Sequence, residues 1–184
     1  MRFIPTELEG AFVIELELIE DERGFFARSW CAAEFEARKL DSRIVQCNVS
    51  FNRTRGTLRG MHYQNAPHEE TKLIRCTNGA IYDVIVDIRT DSPTYRKWVG
   101  FELTAGNHRM LHVPTGFAHG FQTLADDSEV FYQMSEAYHR QSASGFRYDD
   151  PTVNVDWPVA CAIVSDKDQA LPLLGLQGDA ESDE

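Results

Sequence analysis

The sequence predicts an all-β fold, a sandwich or barrel built from many short strands. Apolar and aromatic segments recur about every ten residues. Turn signals such as Asn78-Gly79 and Pro114-Thr-Gly116 separate them. We predict strands at Phe12–Leu18, Leu73–Cys76, Ala80–Asp87, Trp98–Leu103, Met110–Val113, Gly120–Leu124 and Val130–Tyr138.

Only one segment has the composition of a helix. Ala32–Leu40 contains good helix formers together with apolar Phe35 and Leu40. Helices are therefore predicted to be few and short. The concave interior of a closed β-fold such as a jelly roll is a natural place for a small-molecule site.

The chain has 184 residues, which suits one domain spanning residues 1–184. We expect its acidic end, residues 178–184, to be frayed. No apolar run approaches the roughly 18 residues of a membrane-spanning helix, and the first residues do not resemble a signal peptide. The sequence thus predicts a cytoplasmic protein with reduced thiols at Cys31, Cys47, Cys76 and Cys161.

The net charge of −11 disfavours nucleic acid as a partner, because nucleic-acid-binding proteins present basic surfaces. A small anionic ligand remains compatible with this charge. Salt screens charges beyond about 10 Å, so arginine and lysine inside a pocket can act locally.

The segment 56–76 carries the densest set of chemically active side chains: Arg59, His62, Tyr63, Gln64, His68, Lys72 and Arg75. A regular strand through Arg59–Met61 would turn His62 to the face opposite Arg59. The loop at Ala66-Pro67 would let Lys72 return on the neighbouring strand. A lone histidine here suits a structural or a catalytic role, and we interpret His68 as a loop residue.

Three later segments also carry candidate residues. His119 has small neighbours, which leave room either for a ligand or for close strand packing. Tyr132 and Tyr138 are separated by an even number of positions, so an unbroken strand would point both side chains to one face. The charged segment Ile163–Asp168 has the composition of a solvated turn.

The histidines do not have the spacing of a metal site. The sequence contains no H-x-H pair, and His112 and His119 are not at zinc-ligand spacing. We therefore predict a site that works without a metal, and we expect no other cofactor.

The ordered set of motifs resembles the dTDP-4-dehydrorhamnose 3,5-epimerases, the cupin-type epimerases of deoxysugar biosynthesis. The resemblance covers most of the chain and is carried by Asp21-Glu-Arg-Gly-Phe-Phe26, Gln46-Cys-Asn48, Leu58-Arg-Gly-Met-His-Tyr-Gln64, Lys72-Leu-Ile-Arg75, DVIVDIR at 83–89, Ser92-Pro-Thr94, PTGFAHGF at 114–121, Asp149-Asp-Pro151, Trp157-Pro158 and Ser165-Asp-Lys-Asp168. It implies a cupin double-stranded β-helix, or jelly-roll barrel, and a homodimer in which an N-terminal strand crosses to the partner.

The resemblance also implies the roles of individual residues. His62 matches the general base, Tyr132 the general acid, Asp168 the partner of the histidine and Lys72 the active-site lysine. The residues that match the substrate-binding set are Arg23, Phe26, Gln46, Asn48, Arg59, His119, Tyr138 and Lys167. The implied reaction inverts C3 and C5 of a nucleotide-linked 4-keto-6-deoxy sugar, and an imidazole base and a phenolic acid suit it near neutral pH.

Several positions depart from the family pattern: Arg28, Cys47, Glu70, Ala143, Ser144 and Tyr148. They leave open which nucleotide and sugar are bound and whether one or both carbons are inverted. A single-position epimerase and a non-catalytic sugar-binding cupin therefore remain as alternatives. A metal-dependent cupin oxygenase is disfavoured by the absence of an H-x-H pair. The pathway served, cell-surface polysaccharide or secondary metabolite, also stays open.

Overall fold

The protein folds as two facing antiparallel β-sheets that enclose a common interior. The structure, a computed structural model, describes residues 1–176, and the predicted acidic tail at 178–184 lies outside that range. Its strands are numbered β1 to β14 along the chain. This arrangement confirms the predicted all-β, cupin-type jelly roll.

The first sheet has six strands. Their order across the sheet is β1 (Arg2–Pro5), β2 (Phe12–Glu15), β10 (Met110–Val113), β7 (Lys72–Asn78), β12 (Ser128–Met134) and β5 (Gln46–Asn52). Strands that are distant in sequence are hydrogen-bonded neighbours in this sheet, as is typical of a jelly roll.

The second sheet faces the first. Its order is β13 (Ala143–Gly145), β6 (Thr57–Gln64), β11 (Phe117–Thr123), β8 (Ala80–Asp87) and β9 (Trp98–Thr104), with β14 (Ile163–Val164) parallel to β6. A separate hairpin consists of β3 (Ile19–Asp21) and β4 (Gly24–Phe26). Two short helices, α1 (Ala32–Glu36) and α2 (Asp166–Gln169), and a 3₁₀ turn at Leu174–Leu176 complete the described chain.

Alternation along the strands divides the apolar residues among three clusters. On β8, Ile81 and Ile85 point between the sheets, whereas Val84 and Val86 pack under the C-terminal segment with Phe146. A third cluster forms beneath α1. The inner cluster includes Ile74, Ile81, Ile85, Leu103, Leu111, Val113, Phe117, Phe121 and Val130. The interior is therefore packed along part of its length, and polar side chains occupy the remainder.

Four predicted elements end earlier than the sequence indicated, among them the strands predicted over Phe12–Leu18 and Gly120–Leu124, which end at Glu15 and Thr123. The helix predicted over Ala32–Leu40 stops at Glu36, because Lys39 adopts a left-handed backbone conformation with φ 59° and the Leu40 N–H returns to the Phe35 carbonyl. The strand predicted to reach Tyr138 ends at Met134. All four cysteines are free thiols, and none of the helices within residues 1–176 has the length and apolar character to cross a membrane.

Candidate active site

A cavity of about 490 Å³ lies between the two sheets. Most of the predicted site residues line it, together with others that sequence reasoning did not single out. The lining residues are Gln46, Asn48, Val49, Ser50, Phe51, Arg59, His62, Tyr63, Gln64, Glu70, Lys72, His119, Phe121, Tyr132, Met134, Tyr138, Ala143, Ser144, Lys167 and Leu171.

The catalytic candidates reach the cavity from facing sheets. His62 stands on β6 in the second sheet, and Tyr132 stands on β12 in the first. Lys72 lies at the start of β7, which also belongs to the first sheet. Strand β7 therefore faces β6 across the interior and is not hydrogen-bonded to β6. The lysine ammonium donates across this space to the His62 carbonyl at 3.4 Å. A ligand in the cavity would therefore have the imidazole on one side and the phenol on the other.

Arg59 and His62 both line the cavity, which contradicts the prediction that they face opposite sides. The cause is an irregularity in β6: His119 pairs with His62, but Phe121 pairs with Arg59, so two residues of β6 oppose Gly120 alone. Such a bulge inserts one residue and reverses the alternation beyond it. The close approach requires glycine, because a Cβ on Gly60 would lie 2.6 Å from the Gly120 Cα.

His62 is held by a buried carboxylate from the C-terminal part of the chain. Its Nε2 lies 2.8 Å from Oδ1 of Asp168, whose side chain is 6% exposed. An ionised carboxylate can only accept, so the Nε2–H donates and Nδ1 keeps the lone pair that a base needs. Burial acts to raise the pKa of Asp168. The interaction with His62, together with hydrogen bonds from Gly60 and Ser165, outweighs this effect, and the net pKa is lowered.

Asp168 lies in α2, a short helix that the sequence analysis interpreted as a solvated turn. That interpretation is wrong for Asp168, which is buried. The hydroxyl of Ser165 caps the helix by accepting from the Asp168 N–H at 3.1 Å. The preceding strand β14 pairs with β6, and this pairing brings the helix against the strand that carries His62.

Lys72 forms a buried ion pair with Glu70. The two charged groups are 2.9 Å apart, and both residues are 8% exposed. The second carboxylate oxygen of Glu70 has no hydrogen-bond partner in the described structure. The ammonium is thus held beside the cavity by the carboxylate, and one carboxylate oxygen remains without a partner.

Tyr132 is protonated at neutral pH. Burial raises the pKa of its phenol; the nearby Arg59 charge lowers it and Glu70 raises it, and the net shift is upward. The guanidinium of Arg59 donates to Asn52 at 2.8 Å, which fixes its position at the cavity wall. The phenol therefore has a proton to give.

A second histidine–aspartate pair stands beside the first. The Nε2 of His119 lies 2.7 Å from Oδ1 of Asp83, which is fully buried on β8. His119 lies directly opposite His62 in the antiparallel pairing of β11 with β6. Sequence reasoning did not name Asp83 or Glu70 as site residues. For Asp83 a signal existed, because a carboxylate in the middle of an apolar strand requires a buried partner.

Four of the residues that the resemblance assigned to substrate binding also line the cavity: Gln46, Asn48, Tyr138 and Lys167. Tyr138 lies in the loop after β12, and its backbone N–H donates to the Gln46 side chain at 3.0 Å. The structure does not bring the other two predicted binding residues to this cavity. Arg23 and Phe26 lie on the β3–β4 hairpin, where Arg23 pairs with Asp21 and Phe26 is 71% exposed.

The residues of the cavity do not form a metal-ligand cluster. Among residues 1–176, the one group of three candidate ligands is His68, Glu136 and His139, none of which lines the cavity.

The family model described as dTDP-4-dehydrorhamnose 3,5-epimerase matches residues 5–175 of the chain. The chain belongs to this family. Its members are epimerases, a class of isomerase, so the predicted enzyme class is confirmed. The cavity, with the His62–Asp168 pair and the Tyr132 phenol, therefore belongs to a member of an epimerase family.

Relatives of this epimerase family match nearly the whole chain. The dTDP-4-dehydrorhamnose 3,5-epimerase of Shigella flexneri is 43% identical over 171 residues, which cover 91% of this chain and 93% of the relative. The crystal structure of the Bacillus anthracis enzyme, with TDP and pyrophosphate bound, is 45% identical with a TM-score of 0.90, covering 94% and 98% of the two chains. The Legionella pneumophila enzyme, solved with dTDP-4-keto-L-rhamnose, is 38% identical with a TM-score of 0.89, covering 95% and 93%.

Proposed function

We propose that this chain converts dTDP-4-dehydro-6-deoxyglucose to dTDP-4-dehydrorhamnose by inverting C3 and C5. The observation that carries the proposal is that His62, oriented by Asp168, and Tyr132 line one cavity from facing sheets. A base on one face of the sugar and an acid on the other are what inversion at a carbon requires.

The first step is removal of a proton next to the C4 carbonyl. That carbonyl acidifies the hydrogens on C3 and C5, because the carbanion is delocalised as an enolate. Nδ1 of His62 takes the proton, and the Asp168 carboxylate stabilises the imidazolium that forms. Tyr132 then donates its proton to the opposite face of the carbon. The imidazolium loses a proton to water and the tyrosinate takes one from water, so that the same pair can act at the second carbon.

The enolate oxygen needs a compensating positive charge. Lys72 provides it from the first sheet, held in place by Glu70 and by the His62 carbonyl. Arg59 and Lys167 add positive charge elsewhere on the wall, where a diphosphate would be attracted. A chain of net charge −11 thus concentrates cations where its substrate is anionic.

The preference for a thymidine nucleotide rests on the relatives. The Bacillus anthracis enzyme was solved with TDP and the Legionella pneumophila enzyme with dTDP-4-keto-L-rhamnose. We extend this chemistry to the present chain, with Tyr138 at the rim positioned to stack on the base. Deoxysugar supply for rhamnose-containing products is the corresponding biosynthetic role, in the cytoplasm.

We further propose that residues 1–184 form one domain and act as a homodimer. The exposed apolar side chains support an interface: Phe26 on the β3–β4 hairpin and Val49 and Phe51 on β5. In such a dimer the hairpin would place Arg23 and Phe26 in the cavity of the partner subunit. This arrangement explains why they are absent from the cavity of their own chain.

The test is the configuration of the product. The purified chain is incubated with dTDP-, CDP- and GDP-linked 4-dehydro-6-deoxyglucose, and NMR coupling constants report the configuration at C3 and C5. We expect inversion at both carbons of the dTDP sugar, and none with His62→Ala. Inversion at one carbon would replace the proposal by a single-position epimerase, and tight binding without inversion would replace it by a sugar-binding cupin.

A further inference from the structure

Two histidines and a glutamate converge outside the catalytic cavity. His68 lies in the loop between β6 and β7, whereas Glu136 and His139 lie in the segment between β12 and β13. Oε1 of Glu136 is 3.9 Å from Nδ1 of His68 and 3.5 Å from Nε2 of His139. The three candidate ligand atoms all lie within 4.8 Å of one another. None of these residues has a role in the proposed reaction.

The backbone that carries these residues is held by one buried side chain. The amide nitrogen of Gln64 donates to the His68 carbonyl at 2.8 Å and to the Ala137 carbonyl at 3.1 Å. The amide oxygen of Gln64 accepts from the His139 N–H at 2.6 Å. The two loops are therefore fixed against each other before any ligand binds, which lowers the entropic cost of binding.

The spacing of the ligand atoms is close to that of a bound transition metal. Two ligands at about 2.0–2.1 Å from a tetrahedral ion are about 3.4 Å apart. The two carboxylate–imidazole separations of 3.5 and 3.9 Å need to shrink by about 0.1 and 0.5 Å. The third separation, between the two imidazole nitrogens, lies within 4.8 Å and shortens as the rings turn towards the ion. The imidazoles, now stacked with ring centroids 3.5 Å apart, would rotate so that their lone pairs meet at the ion.

We propose that His68, Glu136 and His139 form a binding site for a divalent d-block cation of the zinc type. Imidazole nitrogens with one carboxylate suit Zn²⁺, Co²⁺ or Ni²⁺, whereas Mg²⁺ and Ca²⁺ prefer oxygen ligands alone. All three side chains are partly exposed, so the ion can enter from solvent and complete its coordination with water. The site is separate from the catalytic cavity and does not depend on the proposed reaction.

A bound ion would act on the rim of the cavity. Tyr138 lies between Glu136 and His139 in sequence and lines the cavity with about half of its surface exposed. Cross-linking loop 65–71 to loop 135–142 would restrict the segment that carries Tyr138. The ion would therefore stabilise the folded chain and restrain the mouth of the site, without taking part in proton transfer.

The test is calorimetric titration of Zn²⁺ into the full chain, freed of metal by a chelator and carrying no polyhistidine tag. A Cys47→Ser/Cys161→Ser background removes the exposed thiols as competitors. We expect one equivalent to bind, and His68→Ala or His139→Ala to weaken binding by at least about tenfold, since even outer partners of a metal site contribute that much. His108→Ala, which removes a histidine elsewhere on the surface, is the matched control and should bind as tightly as the parent.

Two further measurements guard against misfolded variants and other zinc sites. Far-ultraviolet circular dichroism must be the same for all variants, and Zn²⁺ should raise the thermal midpoint of the parent but not that of His139→Ala. Co²⁺ should give visible absorption bands that His139→Ala loses, and Mg²⁺ should give no binding heat. No saturable Zn²⁺ binding, or equal binding by the parent and both histidine variants, would overturn the proposal and leave the stacked rings as loop packing only.

Discussion

Nε2 of His62 lies 2.8 Å from Oδ1 of Asp168, although the two residues are 106 positions apart in the sequence. The pairing of β14 with β6 and the Ser165 cap of α2 bring the carboxylate to this position. The C-terminal part of the described chain thus determines the tautomer and orientation of a histidine in the middle of the barrel.

Asp168→Asn should therefore impair the base while preserving the fold. The amide carries no charge to stabilise the imidazolium, and its NH2 group favours the tautomer that lacks the Nε2 proton, so we expect kcat to fall by about 10²–10⁴-fold with little change in KM. Asp166→Asn, an exposed neighbour on the same helix, is the matched control and should retain full activity. Equal rates for the two variants would show that Asp168 has only a structural role.

Substitutions in the Glu70–Lys72 pair should affect stability and activity to different extents. Lys72→Met leaves a buried carboxylate without its partner, and we expect the free energy of unfolding to fall by about 3 kcal/mol. Adding Glu70→Gln should restore most of this stability, because the uncompensated charge is removed. Activity should stay about 10²-fold low in both variants, because the charge that faces the enolate is missing.

Urea denaturation and steady-state rates, measured on the wild type, on Lys72→Met and on the double variant, check this prediction. A double variant that regains activity along with stability would show that Lys72 serves only to neutralise Glu70. Recovery of neither property would show that the cost of Lys72→Met is a packing defect.

His112 predicts how stability depends on pH. Burial lowers its pKa from 6.5 to about 4 in the folded chain, partly offset by the hydrogen bond to the Gly10 carbonyl. Between pH 6.5 and pH 4 the unfolded chain therefore binds a proton that the folded chain does not. The contribution of His112 to the free energy of unfolding is complete above pH 6.5 and is lost as the pH falls towards 4. Relative to His112→Phe, the wild type should lose up to about 1.4 kcal/mol of unfolding free energy per pH unit in this window.

The measurement is urea unfolding of both proteins from pH 7.5 to pH 4. The wild-type and His112→Phe curves should converge or cross in the acid range. Parallel curves would show that the imidazole is not buried as the structure has it.

The exposed hairpin predicts complementation between two inactive chains. In a homodimer with exchanged hairpins, His62→Ala supplies an intact hairpin to a partner that carries Arg23→Glu and Phe26→Ala. Co-expression should recover about a quarter of wild-type activity, because half of the dimers are mixed and each has one complete site. Purified separately, neither variant should be active, and a mixture that stays inactive would argue that the hairpin serves its own chain.

Short apolar runs bordered by turn signals explain what the sequence could predict. Ala80–Asp87 and Met110–Val113 were predicted with the bounds observed, because apolar side chains on both faces are buried and turns border both strands. The predicted cavity residues on β5, β6, β7, β11 and β12 followed instead from the resemblance to the epimerases, and the family match confirms that resemblance.

The remaining features depend on contacts that no local pattern records. The bulge opposite Gly120 turns the His62 side chain to the same face as Arg59. Only the pairing of β6 with β11 reveals this bulge. The four-residue helix α2 is too short for a periodic signal and exists through its cap and the burial of Asp168. Gln64 brings His68 and His139 together across two loops, which sequence spacing alone does not indicate.

The central claim is that His62 and Tyr132 exchange protons with opposite faces of the same sugar. It is tested most directly by proton NMR of dTDP-4-dehydro-6-deoxyglucose in deuterium oxide with the wild type, His62→Ala and Tyr132→Phe. We expect deuterium at C3 and C5 with the wild type, no exchange with His62→Ala, and inversion slowed by about 10²–10⁴-fold with Tyr132→Phe. Exchange at the wild-type rate in His62→Ala, or unchanged inversion in Tyr132→Phe, would contradict the claim.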